Sequence, residues 1–79
     1  MVEVTLNVTD ENGNTQSVTK SIPSGPTKVD VLKQELGVQA QDALWVIDKN
    51  GKRRQLADHA SEVVREGDRY EVIVRGGVS

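Results

Sequence analysis

The segment Val2 to Thr9 sets Val2, Val4, Leu6 and Val8 against Glu3, Thr5, Asn7 and Thr9 in strict alternation. A period of two is a strand with one apolar and one polar face. Such a strand needs a sheet with one side covered. Only one stretch of the chain has helical spacing to cover it: Val29, Leu32 and Leu36 recur at i, i+3 and i+7. The 79 residues make one small domain with a thin core.

Asp10-Glu11-Asn12-Gly13-Asn14 reads as a turn, followed by a strand from about Thr15 to Ile22. Lys20 lies on the face shared by Val18 and Ile22. It either snorkels at a sheet edge or marks a bulge. Pro23-Ser24-Gly25-Pro26 reads as a rigid connector, since proline cannot donate to a ladder. Thr27, three residues before Asp30, predicts a capping box for a helix from about Lys28 to Leu36, ended by Gly37. Leu44-Trp45-Val46-Ile47 is a short strand, Asp48-Lys49-Asn50-Gly51 a hairpin turn, and the polar Lys52 to Leu56 an edge strand. Ala57 to Val64 reads as irregular, with a helical turn over Ala60 to Val64. Glu66-Gly67-Asp68 is a turn into a last strand from Arg69 to Val74, with Tyr70, Val72 and Val74 on one side and Glu71 and Ile73 on the other. The expectation is an α+β fold: a mixed four- to five-stranded sheet with one helix packed on one face.

The last strand runs directly into Arg75-Gly76-Gly77, and Val78-Ser79 follow. Glycine has no side chain, so such a tail threads a narrow channel and brings a carboxyl group to a reactive centre. The plainer reading is a stretch of small residues after a final strand. The domain is read as residues 1–74 and the tail as residues 75–79.

Residues 2–77 together resemble ubiquitin and its bacterial relatives. The resemblance rests on Ile22-Pro23-Ser24 leading to a helix that opens at Thr27, the helix spacing of Val29, Leu32 and Leu36, Gly67-Asp68 before the last strand, and the Arg75-Gly76-Gly77 end. The helix is about a turn shorter than ubiquitin's, and the stretch to Gly76 is shorter too. The Leu-Gly-Val helix end looks more like bacterial ubiquitin-like proteins encoded beside their own conjugation enzymes. The resemblance implies a β-grasp fold with its final strand in mid-sheet beside the first. It also implies a protein modifier: an activating enzyme uses ATP to adenylate the terminal glycine, a conjugating enzyme carries it, and target lysines accept it as an amide. Val78-Ser79 blocks the Gly77 carboxylate, so the resemblance implies a precursor cut between Gly77 and Val78 by a processing protease, with Arg75 steering the tail. The same carboxylate serves sulfur carriers as a thiocarboxylate. In a third class, non-conjugating adaptors, the tail is inert.

If Tyr70, Val72, Leu44 and Val46 face the helix, Trp45, Ile47 and Ile73 face away and form a partner face. The reverse alternation puts Trp45 in the core. The resemblance supports the first, because ubiquitin is recognised on that sheet face.

Other chemistry is thinly represented. The chain has no cysteine, which removes disulfides and thiolate sites. His59 is the sole histidine, and Asp58 beside it makes no dyad without further partners. Asp10, Glu11, Asp48 and Asp68 are turn residues, with no metal spacing. Ser61 and Ser79 have no base at a recognisable spacing. Lys20, Lys28, Lys33, Lys49 and Lys52 read as solvated. An enzyme is not expected, and no cofactor is implied. With net charge -2, a single basic run at Lys52-Arg53-Arg54 and only Trp45 and Tyr70 as aromatics, no nucleic-acid partner is expected. Neither a membrane span nor a signal peptide is read, and a cytoplasmic protein is expected.

Overall fold

The computed structural model describes residues 1–74. In chain order the elements are β1 (Val2–Thr9), β2 (Thr15–Ile22), β3 (Gly25–Lys28), α1 (Val29–Leu36), β4 (Leu44–Ile47), β5 (Arg53–Gln55), β6 (Ser61–Val64) and β7 (Arg69–Ile73). Five strands form one mixed sheet in the order β2-β1-β7-β4-β5, and β3 and β6 form a separate two-stranded ribbon. β7 runs parallel to β1 and antiparallel to β4, so the final strand lies in mid-sheet. One helix with a mixed five-stranded sheet is an α+β architecture consistent with a β-grasp-like arrangement.

The two hairpins use the same local chemistry. Asp10 Oδ1 accepts the N–H groups of Asn12 and Asn14, each at 2.9 Å. Asp48 Oδ1 accepts those of Asn50 and Lys52 at 2.8 and 2.9 Å. In each loop the glycine takes positive φ, 85° at Gly13 and 82° at Gly51, a region that a Cβ disfavours. A carboxylate that organises turn amides is a structural group, which accounts for both aspartates.

β1 alternates as its sequence requires. Val4 and Leu6 are buried, Val2 and Val8 pack at the margin of the core, and Glu3 is exposed. Val29, Leu32 and Leu36 bring the helix onto this face, where they meet Ile22, Leu44, Leu56, Val64, Tyr70 and Val72. Gly37 ends the helix at φ 78°. Its N–H bonds Gln34 C=O and the Val38 N–H bonds Lys33 C=O, the paired bonds of a Schellman motif. Val38 folds back onto the core.

Four expectations need correction or a decision. Thr27 does not cap the helix: the N-cap position is Lys28, with no side-chain cap, and Thr27 Oγ1 donates to Gly25 C=O at 3.2 Å. Asp30 Oδ1 accepts the neighbouring Val31 N–H instead. The reason is tertiary pairing. The Gly25–Lys28 connector is itself a strand, laid antiparallel to Ser61–Val64, and the Val29 N–H bonds Ala60 C=O at the entry to the helix. For the same reason Ala60 to Val64 holds no helical turn: Ser61–Val64 is strand β6, with Val64 buried. Val74 lies beyond β7 and is exposed, so the buried part of the row ends at Val72. Lys20 marks an edge and not a bulge. The β1–β2 register runs unbroken from Val2↔Ile22 to Thr9↔Thr15, and β2 is the outermost strand.

Candidate functional site

Two features carry functional weight: the place where the chain leaves the sheet, and the sheet face away from the helix. β7 is held on both sides, by β1 through Thr5↔Arg69 to Thr9↔Ile73 and by β4 through Leu44↔Val72 to Ile47↔Arg69. Beyond it the Val74 N–H donates to Thr9 C=O at 2.8 Å. The last described residue is thus tied to the first strand. Tyr70 and Val72 anchor β7 from below, 1% and 2% exposed. The Tyr70 hydroxyl donates to Asp68 Oδ2 at 3.4 Å, and burial first, then the Asp68 carboxylate, pushes its pKa up. Arg75, Gly76, Gly77 and Val78, the tail residues singled out above, lie outside the described residues.

Leu44 is buried and Val46 packs on the core, which puts Trp45 and Ile47 on the opposite face of β4. Ile73 stands on that face too, 42% exposed, in register with Thr9. The three do not form one uninterrupted apolar patch. Trp45 pairs across the ladder with Glu71, and Ile47 with Arg69. The Arg53 guanidinium lies 5.6 Å from the centre of the Trp45 ring and bonds Glu71 Oε1 at 2.7 Å. The face presents an aromatic ring beside an arginine that is itself bonded to the carboxylate of the neighbouring strand, with an isoleucine on either flank. Trp45 is part-exposed. Trp45→Ala is therefore expected to cost only about 1–2 kcal/mol in a denaturant titration. A loss of the 3–5 kcal/mol typical of a core tryptophan would place the ring inside.

Beside this face the structure gathers cations that are scattered in sequence. The concave surface between the β4–β5 and β6–β7 turns is lined by Lys49, Lys52, Arg53, Arg54, Arg65 and Arg69. The same surface carries four carboxylates, Asp48, Glu62, Glu66 and Asp68, against these six cations. Glu62 takes Arg54 in two hydrogen bonds and Glu71 takes Arg53, while Asp48, Glu66 and Asp68 accept backbone N–H groups. The excess of two cations gives the surface a modest preference for acidic partner groups. Only Lys52-Arg53-Arg54 was legible as a basic run; Arg65 and Arg69 join it through the sheet.

Lys33 is the residue most misjudged by composition. It is buried, 4% exposed, not a solvated surface lysine. Its ammonium donates to Ala40 C=O at 3.0 Å and to Asp58 Oδ1 at 2.9 Å, joining the loop after the helix to the loop before β6. Asp58 is thus a structural partner of Lys33. The hydrogen bond from Lys33, then its charge, holds the Asp58 carboxyl below the usual range. A depressed folded pKa contributes stability above the unfolded pKa, and that contribution is lost as pH falls through the folded value. Asp58→Asn is therefore expected to flatten the acid side of a plot of melting temperature against pH, below about pH 4. An unchanged acid limb would show that the bond carries no stability.

Among the described residues no three His, Asp or Glu side chains gather as a metal site, and no helix is long and apolar enough to cross a membrane. No protein-family model, curated protein or solved structure matches the chain.

Proposed function

We propose that the chain is a ubiquitin-like protein modifier, made as a precursor, cut after Gly77 and then activated through the Gly77 carboxylate. The observation that carries this reading is the place of β7. A strand held on both sides in mid-sheet delivers the chain end at Val74, directly before Arg75-Gly76-Gly77. A rigid body with its exit fixed to the sheet rim suits a protein whose working group is its own C-terminus.

The chemistry is acyl transfer. The Gly77 carboxylate attacks the α-phosphorus of ATP and releases pyrophosphate. A cysteine thiolate of the activating enzyme displaces AMP to give a thioester. A lysine amine of the target, deprotonated, then displaces the thiolate and forms the amide. The chain supplies the carboxylate and the recognition surface, and the enzymes supply the catalysis, so the chain is a substrate and not an enzyme. Trp45, Ile47 and Ile73, beside the basic concavity, are the face we assign to these partners, and acidic groups on them complement Arg69 and Lys49. The compartment that fits is the cytoplasm.

The test compares the 79-residue chain with a form ending at Gly77, each with the cognate activating enzyme and ATP. Pyrophosphate exchange with the shortened form alone is the expected result; equal exchange by both would remove the precursor step. Intact mass separates the other readings. An amide adduct marks a modifier, replacement of one oxygen by sulfur a carrier, and no change an adaptor.

A further inference from the structure

The two edges of the five-stranded sheet are finished differently. β5 is three residues long and carries Arg53 and Arg54, a short charged edge of the kind that resists pairing. β2 is eight residues long, with no proline and no bulge, and among the described residues nothing pairs with its outer side. Hydrogen-bond parity shows which groups stand free. In β1 the odd-numbered residues turn to β7: the Thr5 N–H donates to Asp68 C=O, and Thr9 C=O accepts the Val74 N–H. The even-numbered residues of β1 therefore face β2, in register with Gln16, Val18, Lys20 and Ile22. The backbone groups of Thr15, Ser17, Thr19 and Ser21 point outward.

We propose that β2 pairs antiparallel with β2 of a second copy about a two-fold axis at Val18, joining the two sheets edge to edge. The register follows from the side chains. Free backbone groups sit on odd residues only, so odd must meet odd. Centring on Val18 matches Thr15 with Ser21 and Ser17 with Thr19 as hydrogen-bonded pairs. It sets Val18, 39% exposed in one copy, against Val18 of the other in a close non-hydrogen-bonded pair. It also sets Lys20 against Gln16. Centring on Lys20 opposes two ammonium groups, and centring on Thr19 opposes each ammonium to a valine. Lys20, on the helix side of the sheet opposite Val4, thus rules out these two registers, and centring on Ser17 pairs only residues 15–19 of the strand, so the Val18 register keeps the longer ladder.

The assembly closes. Once the two β2 edges meet, the edges that remain in the joined sheet are the two short arginine-bearing β5 strands, so pairing through this sheet stops at a dimer. One pair of strands buries less than the roughly 1,600 Å² of a standard stable interface, so the dimer is weak and concentration-dependent. β1 separates β7 from β2, and the two-fold axis sends the two β7 ends to opposite rims. Dimer formation therefore leaves both chain exits open, and it is independent of the modifier reading.

The experiment uses the full 79-residue chain from ~10 µM to ~1 mM, by sedimentation equilibrium and residue-resolved amide exchange. Mass should rise from 8.6 kDa toward twice that value. The amides of Thr15, Ser17, Thr19 and Ser21 should slow by ~10-fold or more at the high end, while those of Gln16 and Val18 are protected throughout. Thr19→Pro removes one outward N–H and no β1–β2 bond, so it should abolish both effects. Should that variant not fold, Val18→Lys serves instead, opposing two charges at the axis. A mass of 8.6 kDa throughout, exchange of the odd-numbered amides independent of concentration, or a folded variant that associates like the parent chain would each overturn the pairing.

Discussion

Leu32→Ala is expected to cost about 3–5 kcal/mol, the range for a large cavity in a packed core. Leu32 is fully buried, in the middle of the only helix among the described residues. That helix has eight residues, Val29–Leu36, too few to persist in water by propensity alone. It forms because Val29, Leu32 and Leu36 reach the sheet, so loss of the central contact weakens the helix and the sheet together. Stability for 79 residues is on the order of 4–12 kcal/mol, so the variant gives up a large share of it. Val31→Ala, one position away on the solvent side and 40% exposed, should change stability by less than about 0.5 kcal/mol. Guanidinium unfolding of both variants reads the contrast directly. A loss below about 1 kcal/mol for Leu32→Ala would mean that the helix does not bear on the core as described.

Elements whose signal is local were legible in the sequence. The alternation in β1, the two Asp-x-Asn-Gly hairpins, the Leu36-Gly37-Val38 helix end and the inward row Tyr70–Val72 each rest on neighbours within a few residues. Elements whose signal is a distant partner were not. Gly25–Lys28 contains glycine and proline and looks like a connector; only Ser61–Val64, on the other side of the helix, makes it a strand. Each half of that ribbon is uninformative alone, which is why one reads as a rigid connector and the other as a helical turn. Thr27 is ambiguous for the same reason, since a capping threonine and a strand threonine are indistinguishable until the partner strand is known. Lys33 follows the same logic. It lies one residue past Leu32 on the helix, and whether that position is wet depends on the loops carrying Ala40 and Asp58, which have no periodicity to read. The parts of the candidate site divide likewise. The side of β4 that bears Trp45 follows once Leu44 is assigned inward, whereas the Arg53–Glu71 pair beside it, and the arrival of Arg65 and Arg69, depend on strand order.

In the form ending at Gly77, Gly76→Leu should reduce adenylate formation with the cognate activating enzyme by ~100-fold or more. On the modifier reading the reacting atom is a Gly77 carboxylate oxygen, and its attack on the α-phosphorus of ATP is limited by placement. A displacement of about 1 Å at a reacting centre is enough to cost ~100-fold. A leucine side chain one residue back adds volume where the channel must close around bare backbone, and it narrows the φ/ψ range that glycine leaves open. On the modifier reading the tail does not support the body, so the melting temperature should equal that of the parent form, and the Trp45 face should bind the enzyme as before. The loss should consequently fall on the rate of adenylation rather than on the half-saturating concentration of the modifier, which the face and the basic concavity set. On the modifier reading the two ends of the molecule do separable work: the sheet face recognises, and the glycines deliver. Trp45→Ala should raise the half-saturating concentration with the limiting rate preserved, the opposite split from Gly76→Leu. If Gly76→Leu instead activates at the parent rate, the tail is not threaded through a channel that requires glycine, and the modifier reading loses its chemical basis.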